Sequence, residues 1–295
     1  MRHDTVGLIG IGLVGLSVAE HLLHAGYHVV GCDIDAEACR RFEAIGGAVA
    51  AHPADVADRA RRVVLSLMTS VVVRDVIEGD SGLLRADGFP EFIIDTSTGT
   101  PAEAEDLAQS LAARGITYLD ATINGSSSQI RAREGVFMVG GDPDGFEACR
   151  DLFDHIGKAA VHVGPSGAGS KAKLATNLVL GLNRLAFAEG LVFAERLGLD
   201  LAAVLDLLKM TSAYSRAMDV KGEKMLKGDF SPDAYAAQHL KDLTIILSEA
   251  DQTGQELPLA QVHHAILSAV VEAGGGQLDN SAVIDEIRRR RKAQP

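Results

Sequence analysis

Residues 6–33, with the sequence VGLIGIGLVGLSVAEHLLHAGYHVVGCD, contain the pattern that decides the fold. An apolar run, Val6–Ile9, leads into the turn Gly10-Ile11-Gly12-Leu13-Val14-Gly15, and a helical pattern begins near Leu13. A second apolar run ends at Asp33, 23 positions after Gly10. A strand, a glycine-rich turn, a helix and a second strand that ends in an acidic residue are typical of a unit that binds a dinucleotide.

The three glycines of this turn are expected to permit three different close approaches. Gly10 would allow the tight turn, Gly12 would let a pyrophosphate approach the backbone, and Gly15 would let the helix pack on the strand. The pyrophosphate would then lie at the helix N-terminus, where unbonded amide groups and the helix dipole favour negative charge. The alternative is a glycine-rich structural turn in an ordinary α/β protein, and the position of Asp33 argues against it.

Asp33 also indicates which dinucleotide is bound. A carboxylate at this position accepts hydrogen bonds from the adenosine ribose hydroxyls and repels a 2′-phosphate. No arginine or lysine occurs between His28 and Cys39, so nothing in that stretch favours the extra phosphate. The sequence therefore predicts NAD as the cofactor, with NADP as the less favoured alternative.

The pattern of the whole chain predicts two domains. Short β-branched runs alternate with helical stretches up to about residue 164, as in βαβ units that build a mostly parallel sheet covered on both faces. The predicted strands are Val6–Ile9, Val29–Cys32, Val63–Leu67, Phe92–Asp95, Thr117–Leu119, Val136–Val139 and Ala160–Val163. Helical patterns follow, the first and longest over Ser170–Leu197. We predict an α/β fold with a Rossmann-type NAD-binding domain over residues 1–164, joined by a long helix to an all-α substrate and dimerisation domain over residues 165–295.

Composition excludes several classes of protein. The chain has 295 residues, 47% of them hydrophobic, and this apolar fraction can bury a core, so the chain as a whole is not disordered. Its formal net charge of −12 argues against nonspecific nucleic-acid binding. The three cysteines lack the spacing of a metal site, and no carboxylate completes a set with the histidines, so we predict no metal.

Two apolar stretches could suggest a membrane or targeting segment. Residues 6–19 are fewer than the roughly 20 that a membrane-spanning helix needs. Residues 174–193 are interrupted by Asn177, Arg184 and Glu189. We therefore expect a soluble cytoplasmic protein with no membrane partner.

A second motif follows the predicted domain boundary. Residues 167–177 read GAGSKAKLATN, and Lys173 and Asn177 lie four positions apart, so a helix presents them on one face. A lysine in apolar surroundings can pass a proton to a carbonyl oxygen during hydride transfer, and an amide one turn away can hold the same oxygen. On spacing alone, a surface lysine with a solvated Asn177 is the favoured interpretation.

Four motifs together resemble the β-hydroxyacid dehydrogenases, the group that contains 3-hydroxyisobutyrate dehydrogenase and tartronate semialdehyde reductase. They are GLIGIGLVG at residues 7–15, DATINGSSSQIRAREGVFMVGG at 120–141, the G-x-G-x-x-x-K-x-x-x-N segment at 167–177, and Lys241-Asp242-Leu243 with the later Leu257-Pro258-Leu259 and Asp279-Asn280-Ser281. The resemblance covers nearly the whole chain, and the segment at 167–177 is the most specific of the four.

This resemblance implies an NAD-dependent oxidoreductase that interconverts a short 3-hydroxy acid and its semialdehyde or keto acid. It implies that Lys173 is the catalytic acid and base, with Asn177 as its partner in the substrate site. It also implies that the enzyme is a homodimer or homotetramer. The residues that it assigns to substrate binding are Asn124, Gly125 and Ser126. The further cofactor contacts that it assigns are Met68, Thr69, Ser97, Thr98 and Lys241.

The substrate segment departs from the family pattern. Members usually read D-A-P-V-S-G-G where this chain has D-A-T-I-N-G-S at residues 120–126, and Arg133 stands where glycine is usual. Asn124 can still donate a hydrogen bond, but its side chain is longer than serine, so the usual substrate does not follow. Two alternatives stay open: a reductase of another small carbonyl or of an imine, and a non-catalytic NAD(P)-binding sensor. Imine reductases generally lack the catalytic lysine, and a sensor is expected to lose Lys173 or Asn177.

Overall fold

The computed structural model of the protein describes residues 5–88 and 90–290. The described residues form two compact units, one ending at Lys173 and the next beginning at Leu174. This division lies within a single helix, Ala168–Arg196, whose first residues belong to the first unit. The last strand ends at Gly164, where the sequence pattern also changes from strands to helices.

An eight-stranded sheet forms the centre of the first unit. Its strands are β1 (Thr5–Ile9), β2 (His28–Cys32), β3 (Ala48–Val49), β4 (Arg62–Leu65), β5 (Phe92–Asp95), β6 (Thr117–Asn124), β7 (Val136–Gly140) and β8 (Ala159–Gly164). The spatial order is β3-β2-β1-β4-β5-β6-β7-β8. Neighbouring strands are parallel except β6 and β7, which are antiparallel. The predicted mostly parallel α/β sheet is confirmed.

Helices cover both faces of this sheet. They are α1 (Leu13–His24), α2 (Ala36–Ala44), α3 (Pro53–Ala57), α4 (Ser70–Glu78), α5 (Pro101–Ala112), α6 (Ser127–Arg131), α7 (Pro143–Ala148) and α8 (Arg150–Ile156). Leu8 belongs to one apolar cluster and its neighbour Ile9 to another, because successive strand residues point to opposite faces. Burial on both faces explains why the strand sequences alternate so weakly between apolar and polar residues.

The sequence motifs lie at one edge of the sheet, where the parallel strands end. The strand order reverses between β1 and β4, and open α/β sheets bind ligands at such a reversal, outside the carboxyl ends of the strands. Because β1, β2, β4, β5 and β6 are all parallel, their carboxyl ends share this edge. Gly10, Asp33, Met68, Ser97 and Asn124 lie at or just beyond those ends.

The second unit is helical, as predicted. Its helices are the continuation of α9 (Ala168–Arg196), then α10 (Leu201–Met210), α11 (Arg216–Lys227), α12 (Ala236–Thr253), α13 (Pro258–Glu272) and α14 (Val283–Arg289). Leu191, Leu243, Leu267 and Val283 are among the fully buried side chains of its core.

Helix α9 is long and apolar enough to span a membrane by length and composition alone. The core helix of a folded domain can have the same length and composition, and Leu185 and Leu191 of α9 belong to the apolar core of the second unit. Arg184 on the same helix is only 3% exposed.

Arg133 has an unusual backbone conformation for its residue type. Among the described residues, it alone combines a positive φ, 56°, with a side chain. It follows α6, where the Glu134 N–H donates to the Gln129 carbonyl and the Arg133 N–H to the Ile130 carbonyl, at 2.7 and 2.9 Å. This is the Schellman arrangement, whose left-handed residue is usually glycine. Arginine in this conformation costs roughly 1–2 kcal/mol.

We expect Arg133→Gly to raise the free energy of unfolding by about 1 kcal/mol, because it relieves the left-handed conformation. The arginine is exposed, and its Nη2 donates to the Asp154 carbonyl at 2.5 Å, so the lost surface bond offsets only part of the gain. Chemical denaturation measures the difference. Ala132→Gly is the matched control: Ala132 has φ −79°, so glycine there brings no gain. A less stable Arg133→Gly variant would contradict the argument.

Candidate active site

The glycine-rich turn lies between the ends of β2 and β4. Gly10 has φ 89°, and its N–H donates to the Cys32 carbonyl at 3.1 Å. A Cβ at Gly10 would lie 2.2 Å from the Ser66 carbonyl oxygen, and one at Gly15 would lie 1.9 Å from that of Gly10. Any side chain at either position would collide with backbone, so both glycines are required by the packing of the turn.

Gly12 is required for a different reason. A Cβ added there would meet no protein atom within 4 Å. Gly12 is also the N-cap of α1, and no side chain caps this helix end. Open space beside an uncapped helix N-terminus is the arrangement that receives a pyrophosphate, so the turn fits the predicted dinucleotide.

Asp33 is held beside this turn by two backbone groups. Its Oδ2 accepts the Ile11 N–H at 2.6 Å, and its Oδ1 accepts the Asp35 N–H at 2.8 Å. The carboxylate therefore has a fixed orientation at the carboxyl end of β2. Arg40 on α2 forms an ion pair with Glu37 at 2.5 Å, which makes it a poor partner for a 2′-phosphate near Asp33.

The predicted cofactor contacts at residues 68–69 and 97–98 lie after two strand ends that are linked to each other. The Leu67 N–H donates to Ser97 Oγ at 3.0 Å, which ties the segment after β4 to the segment after β5. Thr69 caps α4 by accepting the Val72 N–H at 3.3 Å, and the side chain of Met68 is exposed. Thr98, next to Ser97, is half-buried. The structure thus brings Met68, Thr69, Ser97 and Thr98 together at the sheet edge.

A buried acidic residue that sequence analysis missed supports Ser97. Asp95 Oδ1 accepts the Ser97 N–H at 2.9 Å, and Oδ2 accepts the Tyr118 hydroxyl at 2.6 Å. Burial raises the pKa of Asp95, and burial together with the neighbouring Asp95 raises the pKa of Tyr118 well above its usual value. An acidic residue at the end of an apolar run is the signal that identified Asp33, and it could have identified Asp95 as well.

Lys173 lies near the start of α9, beside the end of β6. Its Nζ donates to the Ile123 carbonyl at 2.5 Å, and its side chain is half-buried. Ile123 precedes Asn124, so the ammonium group lies next to the predicted substrate segment. The predicted strand over residues 117–119 was too short, because β6 continues to Asn124, which pairs with Val136 of β7.

Several hydrogen bonds of the predicted substrate segment are made within the segment and the helix that follows it. Gly125 has φ 151°, and Ser126 is the N-cap of α6. Ser126 Oγ accepts the Gln129 N–H at 3.4 Å, and the Ser126 N–H donates to Gln129 Oε1 at 2.9 Å. The Ser126 and Ser128 hydroxyls lie 2.9 Å apart. The Ser126 N–H is therefore already bonded within the segment.

The second unit contains the other predicted catalytic residue. Asn177 is 4% exposed, and its Nδ2 donates to Asp242 Oδ2 at 2.9 Å, which excludes a solvated side chain. Lys241 Nζ lies 3.3 Å from Asp242 Oδ1. Asp242 thus contacts both Asn177 and Lys241. Asp242 was predicted only as part of the motif at residues 241–243, with no role of its own, and its place beside Lys241 was the available signal.

Metal-ligating side chains do not cluster within residues 5–88 and 90–290, where no group of three His, Cys, Asp or Glu residues could hold an ion. Cys32, Cys39 and Cys149 are all free thiols. Burial raises the pKa of Cys32 and of Cys149 to about 12, so neither is a reactive thiolate at neutral pH.

Two family models match most of the chain. The model described as the NAD binding domain of 6-phosphogluconate dehydrogenase matches residues 5–164. The model described as NAD-binding of NADP-dependent 3-hydroxyisobutyrate dehydrogenase matches residues 167–287.

Similar proteins point the same way. The 2-hydroxy-3-oxopropionate reductase of Escherichia coli is 32% identical over 285 residues, which cover 96% of each chain. The L-threonate dehydrogenase of Cupriavidus necator is 31% identical over 280 residues, 95% of this chain and 94% of the relative. The crystal structure of 3-hydroxyisobutyrate dehydrogenase from Salmonella typhimurium has a TM-score of 0.87 at 26% identity, over 95% of this chain and 99% of that one.

Two further matches are more limited. The cytokine-like nuclear factor N-PAC of Anopheles gambiae is 29% identical over 278 residues, and the chain spans 49% of its length. An imine reductase from Pseudomonas sp., at 19% identity and a TM-score of 0.63 over 96% of this chain and 99% of that one, shares the fold. Because the two family models together span residues 5–287 with only a short gap, the chain belongs to the β-hydroxyacid dehydrogenase family of NAD(P)-dependent oxidoreductases that act on CH–OH groups.

Proposed function

We propose that this protein is an NAD-dependent dehydrogenase of a short 3-hydroxy acid, with Lys173 as its general acid and base. The observation that carries the proposal is the 2.5 Å hydrogen bond from Lys173 Nζ to the Ile123 carbonyl at the carboxyl end of β6. Since β6 is parallel to β5, the ammonium group lies at the same sheet edge as the glycine-rich turn, Asp33 and Ser97.

Lys173 performs the proton transfer in both directions. In oxidation, neutral Lys173 removes the proton from the substrate hydroxyl; in reduction, protonated Lys173 returns it to the carbonyl oxygen. NAD, when bound, supplies the acceptor for the hydride that leaves the same carbon. The Ile123 carbonyl orients Nζ by accepting one of its hydrogens, and an ammonium group has three, so a bond to the substrate oxygen is compatible with it.

The carboxylate of the substrate is expected at residues 124–126. Asn124 follows Ile123 directly, and strand residues are about 3.3 Å apart, so a group held by Asn124 lies within a short carbon chain of Lys173 Nζ. The names of the similar proteins, a 2-hydroxy-3-oxopropionate reductase and an L-threonate dehydrogenase, also describe short acids of this type. Asn177, oriented by Asp242, is proposed to help hold the substrate oxygen.

NAD rather than NADP is proposed from the charges that follow β2. Asp33, Asp35 and Glu37 are acidic, and the Asp33 carboxylate is oriented by the Ile11 N–H at 2.6 Å. A 2′-phosphate would approach three carboxylates and meet an Arg40 side chain that already pairs with Glu37. Lys241, 25% exposed, is proposed as a further cofactor contact.

The test is NAD and NADP reduction by the purified protein with a panel of short 2-, 3- and 4-hydroxy acids. We expect turnover on a 3-hydroxy acid, with kcat/KM for NAD at least about tenfold above that for NADP. Asp33→Asn, which removes the charge and turns an N–H₂ group toward one of the two backbone donors, should reduce this preference. Equal use of NADP would contradict the role of Asp33. Turnover confined to an imine, or NAD binding without turnover on any acid, would contradict the proposed reaction and favour the imine reductase or the sensor.

A further inference from the structure

Strand β6 contacts the start of α9 at a second place, which the proton transfer itself does not use. Asp120 Oδ1 accepts the Gly167 N–H at 3.0 Å, and Oδ2 accepts the Ser170 N–H at 2.8 Å. Asp120 is 2% exposed. The first N–H groups of a helix have no partner within the helix, so this buried carboxylate caps the N-terminus of the helix that carries Lys173.

Two further features hold the same helix end on the sheet. Thr122 Oγ1 donates to the Gly169 carbonyl at 3.0 Å, and Thr122 is fully buried. A Cβ at Gly169 would lie 2.0 Å from the Asp120 carbonyl oxygen, and one at Gly140 of β7 would lie 2.4 Å from Asp120 Oδ1. The absence of side chains at both glycines lets the first turn of α9 lie directly on β6 and β7.

We propose that Asp120 is a positioning residue for Lys173, whose carboxylate fixes the height and rotation of α9 on β6 and thereby sets Lys173 Nζ against the Ile123 carbonyl and the reacting carbon. Lys173 follows Ser170 by three residues, roughly 4.5 Å along the helix axis. A displacement of the start of α9 relative to β6 therefore moves Lys173 Nζ by a similar distance. Misplacement of a catalytic group by about 1 Å can cost on the order of 100-fold in rate. The inference rests on the role proposed for Lys173.

The carboxylate is a specific choice for this position. It offers an oxygen to each of two N–H groups, whereas asparagine offers one oxygen and turns an N–H₂ group toward the other donor. Burial raises the pKa of Asp120, whereas the N–H groups of Ser170 and Gly167 act in the opposite direction by donating to its charged form. We expect kcat to fall in Asp120→Asn and to fall further in Asp120→Ala.

The experiment compares Asp120→Asn with Asp200→Ala in the whole chain. Asp200 caps α10 by accepting the Ala203 N–H at 2.8 Å, so its replacement by alanine removes an aspartate cap from a helix end away from Lys173. For Asp120→Asn we expect kcat to fall by about 30- to 100-fold, with substrate KM and the NAD Kd within about twofold of wild type. Asp200→Ala should lower Tm while leaving kcat within about twofold. An unchanged kcat in Asp120→Asn, or an equal loss in both variants, would overturn the inference.

A second variant decides the case in which Asp120→Asn does not fold. Thr122→Val is nearly isosteric and removes the bond to the Gly169 carbonyl; we expect kcat to fall by about 3- to 10-fold with KM unchanged. A wild-type kcat in Thr122→Val would overturn the inference.

Lys173→Ala separates the positioning role of Asp120 from the proposed reaction. If Lys173→Ala loses turnover and the cap variants keep it, only the positioning role is wrong; if Lys173→Ala keeps turnover, the proposed reaction is wrong.

Discussion

Replacement of Lys173 by alanine is expected to lower kcat by about 10²- to 10⁴-fold and to leave the NAD Kd unchanged. General acid and base catalysis by one positioned side chain contributes roughly 10²- to 10⁴-fold, and no other titratable side chain is assigned to the proton transfer here. The lysine is half-buried and donates to a strand carbonyl, so its truncation leaves a small gap without disturbing the glycine-rich turn. Steady-state kinetics on the best acid of the panel, with NAD titrated by fluorescence, measures both quantities.

Lys171 provides the matched control. It lies on the same helix two residues earlier, is exposed, and forms an ion pair with Glu105 at 2.7 Å. Two residues along a helix lead to a different face, so Lys171→Ala should keep kcat within about twofold of wild type. Wild-type turnover in a folded, NAD-binding Lys173→Ala variant would refute the proposed mechanism, and an equal loss in Lys171→Ala would point to a general effect of charge.

Substitution of Gly12 by valine is expected to raise the NAD Kd by at least about 100-fold while the protein stays folded. A Cβ added at Gly12 meets no protein atom within 4 Å, so the side chain enters the space proposed for the pyrophosphate. The backbone of Gly12, with φ −70° and ψ −160°, is accessible to valine. Valine is a poorer N-cap than glycine, so we expect a loss of stability no larger than about 1 kcal/mol.

Two other glycines make this result interpretable. A Cβ added at Gly190 on α9 would also meet no protein atom within 4 Å, so Gly190→Val should leave the NAD Kd unchanged. Gly15→Val, by contrast, would bring a side chain against the Gly10 carbonyl and should destabilise the fold itself. Thermal unfolding and NAD titration of the three variants give the comparison. A wild-type NAD Kd in Gly12→Val would show that the pyrophosphate does not approach the start of α1.

Much of the fold was predictable because the local signals agree with one another. The glycine turn, the apolar runs and the change of pattern after residue 164 indicated the sheet and the helical second unit. The predicted strand ended at Leu119, although polar and apolar residues alternate over residues 120–124, which is a strand pattern. Two of the polar residues, Asp120 and Thr122, bind the start of α9. Helix α11 has no clear pattern in the sequence, since its internal Gly222 is unfavourable in a helix. In the structure, a Cβ at Gly222 would lie 2.8 Å from the Leu205 side chain, so the glycine lets α11 pack closely on α10.

Some residues of the candidate site could be predicted from the sequence and others could not. Gly12 and Asp33 are recognisable because their spacing along the chain carries the signal. Asp242 is not, because its bond to Asn177 joins residues 65 positions apart. Asp95 and Tyr118 are separated by 23 positions, and neither has a local pattern that predicts their bond. Pairings of this kind depend on the packing of distant elements, which a single sequence does not specify.

The antiparallel return of β7 along β6 has an evolutionary consequence. It makes residues 125–135 a connection anchored at both ends by paired strands, since Asn124 pairs with Val136. Lys173 contacts β6 at Ile123, before the connection begins. The start of α9 likewise contacts β6 at Asp120. Under the proposed function, mutations within the connection would change which acid is accepted and would leave the contacts of Lys173 and α9 in place. Ser126 and Arg133, two departures from the family pattern, fall within this stretch. The proposed arrangement would thus let substrate range evolve within one connection while the proton transfer is retained.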